Sequence, residues 1–357
     1  METTGDSTDR LAATDGGGGP VPAEVSVDLI EAIRLQAEEH PLIDEKAPET
    51  LAEKCLHLMH VKAYEEAAAR AAGRDLLDVG CNTGYGTVRL VPTARSVTGV
   101  DVSPAAVAAA RSREGGESAR FEVIDGLGLP FPDDSFDLVT SFQVVEHVAD
   151  PVPYLQEIRR VLRPGGIAIL TTPNAAIRLD PGMTPWNRFH VREYRADELA
   201  VALGEVFDGV EVLGMFGVPT LYDLEIERVD ANRRGVRARQ AAIAAKEAAA
   251  AAKAAAAQAP APVPPPTPAP SITRRVRRRL GRTSVGRWAK GALRGSTPVS
   301  PPAAAASTPA PTPAPVPAPA AAAPAVDFAA YTVHDLLYSG RDLDRSMDLM
   351  AICTIDG

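Results

Sequence analysis

The chain has 357 residues, a formal net charge of −9, 28 Gly and 32 Pro. At roughly 150 residues per domain the length suggests two domains. However, 17 of the 32 prolines fall between 259 and 326, in a run of Ala and Pro that has too little to bury to form a core.

The remaining chain suffices for one α/β domain, which reads in order as follows. Residues 1–23 are a Gly-rich, acidic tail expected to be disordered, with no apolar signal region. Residues 24–73 hold two helices, over 27–39 and 48–72, that cap a cleft. From 74 the pattern alternates. Apolar strands are predicted at 75–80, 97–102, 120–124, 136–142 and 167–172, with helices over 104–113 and 151–162. Ser103 is placed to cap the first of these two helices, and Pro164-Gly165-Gly166 to end the second. A glycine-rich turn after residue 80 should open another helix. A helix over 196–203 and strands over 210–216 and 348–355 complete the core. The alternation implies a doubly wound, largely parallel α/β sheet. On this reading 74–223 is the core, 224–326 an insertion and 327–357 the return that supplies the last strand.

Charge divides along the same line. Residues 224–326 carry 16 Lys/Arg and 4 Asp/Glu, a net charge of +12, which leaves −21 on the rest. An acidic body argues against nucleic acid as the main ligand. Within the insertion, 224–258 reads as helix. Residues 272–294 (ITRRVRRRLGRTSVGRWAKGALR) place Ile272, Val276 and Leu280 four apart among arginines, the pattern of a basic helix that docks on an anionic membrane surface. A solvated tether is the competing reading. Three scattered cysteines and no apolar run of about 18 residues argue against disulfides and membrane spans. A cytoplasmic location, peripheral at most, is expected. Oligomeric state is not legible.

The chemistry concentrates at Leu77-Asp78-Val79-Gly80-Cys81-Asn82-Thr83-Gly84-Tyr85-Gly86. Glycines after a strand let the backbone turn tightly and approach a ligand. The exposed amides suit a carboxylate or phosphate. The spacing is G-x-x-x-G-x-G, not the dinucleotide fingerprint. Asp101 ends the next strand, where an acid can hold both hydroxyls of a ribose. Asp125-Gly126 ends the third, where an adenine would lie. Three successive strand ends therefore offer an anion turn, a diol acceptor and a base edge.

LLDVGCNTGYG, VTGVDVS, LPFPDDSFDLVTSFQVVEHVADP and YLQEIRRVLRPGGIAILTTPN together resemble the class I S-adenosylmethionine-dependent methyltransferases of the type 11/12 domain group, over about 48–217. The resemblance implies a seven-stranded Rossmann-like fold and S-adenosylmethionine as cofactor. Asp78, Gly80, Cys81, Asn82, Gly84 and Gly86 would form the methionine turn. Asp101 and Val102 would hold the ribose, and Asp125, Gly126 and Leu127 the adenine. Gln143 and Val144 would line the methyl-donor side. Asn82 stands where the family usually has Gly, and Asn tolerates such backbone angles.

Methyl transfer from a sulfonium mainly needs alignment; a hydroxyl acceptor also needs a base. His147, beside Glu146, is the candidate, because an imidazole ordinarily titrates near neutrality. Its competing reading is the start of the next helix. Some quinone-pathway methyltransferases hold a metal on a similar E-x-x-E-H segment. Here Gln143 replaces the first carboxylate, so no metal is expected. Trp186, His190 and Arg192, in the WNRFHVREY segment, and Tyr64 on the second helix are candidates for the acceptor pocket, or for packing. Among the N-terminal histidines, His57 is read as core. The expected function is O-methylation of a small-molecule or glycan hydroxyl. The alternatives are a quinone or natural-product ring methylase, and a silent cofactor-binding adaptor.

Overall fold

The computed structural model describes residues 27–43, 48–113, 118–258, 327 and 330–357. The expected tail over 1–23 and the basic segment over 272–294 lie outside the described residues.

Helices α1 (Val27–Glu39) and α2 (Leu51–Ala68) precede the sheet. Helix α2 starts where Thr50 caps it, its side chain accepting from the Glu53 amide at 3.1 Å. The parallel part of the sheet comprises β1 (Asp75–Val79), β2 (Ser96–Asp101), β3 (Arg120–Val123), β4 (Phe136–Phe142) and β5 (Leu162–Pro173). Between them run α3 (Pro104–Ser112), capped by Ser103 as expected, and α4 (Pro151–Val161). After β5 come α5 (Ala175–Arg178), α6 (Ala196–Gly204), β6 (Gly209–Gly217), α7 (Pro219–Gln258), β7 (Leu336–Ser339) and β8 (Asp348–Thr354).

The eight strands lie in the order β3-β2-β1-β4-β5-β8-β6-β7. Strand β8 runs antiparallel between β5 and β6, so the strands predicted over 210–216 and 348–355 are neighbours in the sheet. Side chains alternate across the sheet. Leu77, Val139 and Leu170 face one core with Leu155 and Ile158 of α4 and Leu199 of α6. Leu76, Leu138 and Ile169 face the other with Ala63, Tyr64 and Ala67 of α2. Helices therefore cover both faces, which is why the strands read as continuous apolar runs.

Three expectations change. Among the described residues the sheet has eight strands rather than seven, because the return segment adds β7 as an antiparallel partner of β6 at the edge. The glycine turn after β1 opens only a 3-10 turn, Thr87–Arg89, not a helix. The insertion does not begin at 224. The chain divides into two compact units, 1–246 with 326–357, and 247–325. In the first unit Glu225, Val229 and Val236 of α7 are buried. Of the second, only 247–258 are described, as the end of α7. Among the described residues no helix is long and apolar enough to cross a membrane.

Candidate functional site

The carboxyl ends of β1, β2 and β4 open on one cavity of about 620 Å³. That is the edge at which open α/β sheets bind ligands. Helix α1 with the His40 that follows it contributes walls through Leu29, Ile33, Gln36 and His40, and α2 through Met59, His60 and Tyr64.

At the end of β1, Gly80 has φ +79, and a Cβ there would lie 2.4 Å from Val144 Cγ2. Bare backbone thus lines the cavity. Asn82 follows with φ +45, the left-handed conformation expected of it. Its carboxamide ties down the segment after α1: Ile43 N donates to its Oδ1 at 2.8 Å, and its Nδ2 donates to Pro41 O at 3.2 Å. Gly80, Cys81 and Asn82 all line the cavity.

Gly84 and Gly86 do not. A Cβ on Gly84 would meet Ala110 and Phe121 at 2.9 Å, so this glycine lets α3 and β3 pack closely. Gly86 makes room for the Tyr64 ring. Asp78 is also outside the cavity, buried as a hub. It accepts from Thr87 Oγ1 at 2.6 Å, Thr140 Oγ1 at 2.8 Å and Tyr64 Oη at 3.2 Å. Burial raises its carboxyl, and the three donors act against that rise.

Asp101 lines the cavity with Val102 and Ser103. Its Oδ2 accepts from the Asn82 amide and its Oδ1 from the Ser103 amide, each at 2.8 Å. Burial raises its carboxyl, opposed by those amides and by nearby His40. Two amides fix the carboxylate plane and leave an acceptor site on each oxygen, which fits a vicinal diol. Gly126 and Leu127 line the cavity beyond it. Exposed Asp125 does not. Its Oδ1 accepts from Leu127 N at 2.9 Å and shapes the turn.

After β4, Gln143, Val144 and His147 line the cavity. His147 Nδ1 donates to Phe189 O at 2.9 Å, which leaves Nε2 as the acceptor nitrogen. Burial pushes its imidazole down to about 4. It is therefore neutral near pH 7 and a weaker base than an exposed histidine, contrary to the expectation of ordinary titration. Glu146 is fully buried and not in the cavity wall. Its Oε2 accepts from Thr172 Oγ1 at 3.0 Å, its Oε1 has no partner among the described residues, and burial pushes its carboxyl up to about 8. Its carbonyl receives the amides of Val191 and Arg192. Glu146 thus positions the 186–194 segment and does not reach the cavity.

That segment supports the wall from behind. Arg178 grips Glu193 through two bonds of 2.8 and 2.9 Å and stacks 4.2 Å over Trp186. His190 Nδ1 donates to Glu193 at 2.8 Å, and Asn187 Nδ2 donates to His190 Nε2 at 2.8 Å. Burial would raise the Glu193 carboxyl, but the His190 and Arg178 donors outweigh it and hold it low. Arg192 lies over Tyr194, largely exposed. None of Trp186, His190 and Arg192 lines the cavity, so the acceptor-contact reading of these three is replaced by a supporting one. Tyr64 does line it. Among the described residues, Glu146, His147 and His190 bring ligand atoms within 4.8 Å of one another. A cation there would displace the bonds of His190 to Glu193 or Asn187.

Two cavity residues carried no sequence signal. His40, after α1, stands edge-on to His147 with ring centroids 5.2 Å apart. Asp348, the first residue of β8, pairs with Pro173 at the end of β5. Because β8 runs antiparallel, its beginning meets the edge where the parallel strands end.

A family model described as a methyltransferase domain matches residues 77–170. A "Probable S-adenosylmethionine-dependent methyltransferase" of Mycolicibacterium smegmatis is 40% identical over 190 residues, covering 52% of this chain and 72% of the relative. A similarly named protein of Mycobacterium tuberculosis is 41% identical over 170 residues, covering 46% of this chain and 60% of the relative. Among solved structures, an S-adenosylmethionine-dependent methyltransferase from Mesorhizobium loti is 21% identical, with a TM-score of 0.38, covering 48% of this chain and 93% of that one. The glycine turn, the amide-held Asp101 carboxylate and the 125–127 turn thus lie in a chain that belongs to the S-adenosylmethionine-dependent methyltransferases.

Proposed function

We propose that the enzyme methylates a hydroxyl group of a small-molecule or glycan acceptor. S-adenosylmethionine supplies the methyl group as a sulfonium, a strong electrophile. On this reading Gly80, Cys81 and Asn82 hold its methionine part, Asp101 and Val102 the ribose, Gly126 and Leu127 the adenine edge. Gln143 and Val144 border the methyl group. Gly84, Gly86, Asp78 and Asp125 act one step removed, by setting the shape of the turns.

The observation that carries the hydroxyl reading is His147. Its tautomer is set by Phe189 O, so the neutral Nε2 is available to accept a hydrogen bond at the end of β4. A neutral acceptor nitrogen orients a hydroxyl without binding the cationic cofactor. Gln36 and His147 share the Phe189 carbonyl, which links α1 to the site and supports closure against water. The apolar wall of Leu42, Ile43 and Met59 favours a second reading, a quinone or natural-product ring bearing the hydroxyl.

Transfer of labelled methyl from S-adenosylmethionine to short glucans and to hydroxyaryl compounds tests both readings. The expected product is an alkali-stable methyl ether, and His147→Ala should raise KM for the acceptor more than for the cofactor. Label on nitrogen or carbon would refute the hydroxyl reading. The +12 segment beyond 224 supports docking of this acidic enzyme on an anionic membrane surface through 272–294. Equal co-sedimentation with anionic vesicles after deletion of 272–294 would rule that out.

A further inference from the structure

Asp348 lines the cavity beside Phe142, Gln143 and Thr171, yet it is only 5% exposed. No cation lies within ion-pair distance among the described residues. Its oxygens accept from Gln143 Nε2 at 3.0 and 3.2 Å, and the Leu349 amide adds a backbone bond. Gln143 itself has φ +57, a conformation unfavourable for a side chain of its kind, and its amide is held by Thr171 O at 2.9 Å. A strained residue is thus fixed where its carboxamide clamps Asp348.

Among the groups around Asp348, Arg178 bears on it as a favourable charge, but from beyond ion-pair distance. Arg178 of α5 is engaged by Glu193. Glu225 of α7 is paired with Arg228 and bears on Asp348 as a like charge. Glu146, after β4, and Tyr338 of β7 also feel the Asp348 charge unfavourably. His147, which also lines the cavity, is neutral near pH 7. A buried carboxylate without a counter-ion is costly, and binding a cation removes that cost. The one permanent cation this enzyme handles is the sulfonium, whose methyl group is assigned to the side bordered by Gln143.

We infer that Asp348 is the counter-charge of the cofactor's sulfonium, ionising when the cationic cofactor enters and regaining a proton when the neutral thioether remains. Burial pushes the free carboxyl up to about 8, so Asp348 starts protonated at pH 7 and releases that proton to face a cation. The rest follows from the hydroxyl reading above. As the C–S bond breaks and the C–O bond forms, the hydroxyl proton leaves through His147 Nε2 to solvent, and Asp348, now facing a neutral thioether, takes a proton back from solvent. A carboxylate and a sulfonium become a carboxylic acid and a thioether, so no net charge is left in the cavity.

Calorimetric titration of the full chain at pH 7, in buffers of low and high ionisation enthalpy, reads the proton count without an acceptor. With S-adenosylmethionine the protein should release most of one proton more than with S-adenosylhomocysteine. In Asp348→Asn, which keeps an oxygen for Gln143 to bond, that difference should vanish. If this variant does not fold, the wild type decides alone. Its preference for S-adenosylmethionine over S-adenosylhomocysteine should rise up to about tenfold per pH unit below about 8, then level off. Equal proton counts for the two ligands, a difference that survives in Asp348→Asn, or a flat preference would each overturn the inference. Binding of neither ligand would overturn it together with the site assignment. Failure of the hydroxyl reading alone would leave the proton linkage intact and appear as methyl on nitrogen or carbon.

Discussion

Replacing Gly86 by Ala separates packing from backbone conformation. Gly86 has φ −84, which any residue adopts, so alanine adds no backbone strain. Its Cβ, however, would lie 1.9 Å from Tyr64 Cε2 and 2.0 Å from Cζ. Tyr64 is 5% exposed, stands edge-on to Phe142 at 4.8 Å, and donates to Asp78 at 3.2 Å. It has little room to retreat. Overpacking of this kind costs about 1–3 kcal/mol. Displacing the hydroxyl also takes one of three side-chain donors from a buried carboxylate, about 1–3 kcal/mol more. The sum is about 2–6 kcal/mol, a melting temperature lowered by roughly 4–24 °C at this size. Thermal unfolding measures the loss, and titration with S-adenosylmethionine should show weaker binding because Tyr64 lines the cavity. In a Tyr64→Ala background the Gly86→Ala change should cost less than about 0.5 kcal/mol, since its obstacle is gone. A Gly86→Ala protein within about 0.5 kcal/mol of wild type, or an equal loss in both backgrounds, would refute the reasoning.

Three further outcomes are expected. Burial holds Glu146 and Asp348 up at about 8, above an ordinary carboxyl, so each withdraws stability as pH rises from about 4 to about 8. Burial holds His60 and His147 down at about 4, so each adds stability from about 4 to about 6.5. The two effects oppose one another up to about 6.5, and above it only the carboxyl effect remains. Denaturant unfolding should therefore show stability falling between about 6.5 and 8, with a shallower fall in Glu146→Gln; a flat profile in the wild type would contradict this. Glu193→Gln leaves Arg178 buried without its charge partner and should cost about 3–5 kcal/mol in urea unfolding. A loss under about 1 kcal/mol would mean that the pair does not organise the 186–194 segment. Finally, replacing 247–325 by a short flexible linker should leave circular dichroism and cofactor binding intact. Deletion from 224 should unfold the protein, because Val229 and Val236 are buried. Equal folding of the two deletions would show that this part of α7 contributes nothing.

Most of the turns at the carboxyl edge were legible because they depend on local backbone needs. A turn after β1 that must expose its amides needs glycine or asparagine, and Gly80 and Asn82 take the expected positive φ. Asp101 ends its strand as read, because strand ends follow from apolar runs. The same logic overreached at Gly84 and Gly86. A glycine spaced for ligand approach and a glycine spaced for side-chain packing look alike until Phe121 and Tyr64 are placed against them. The 186–194 segment misled for a similar reason. Trp, His and Arg in one run suggest a binding surface, but Glu193 and Arg178 turn those side chains toward each other.

The amino-acid sequence by itself determined the alternating sheet, the carboxyl edge that carries the turns, and the division of charge between an acidic body and a basic segment. These rest on periodicity and composition, which are local. Only the tertiary structure decided what reaches the cavity. It buried His147 and so lowered its basicity, withdrew Glu146 behind the wall, and carried α7 into the core as far as Val236. Above all, it brought Asp348 to Gln143 across 205 positions of chain. An antiparallel last strand does this by geometry alone: its first residue arrives where five parallel strands finish, and no local pattern announces that meeting.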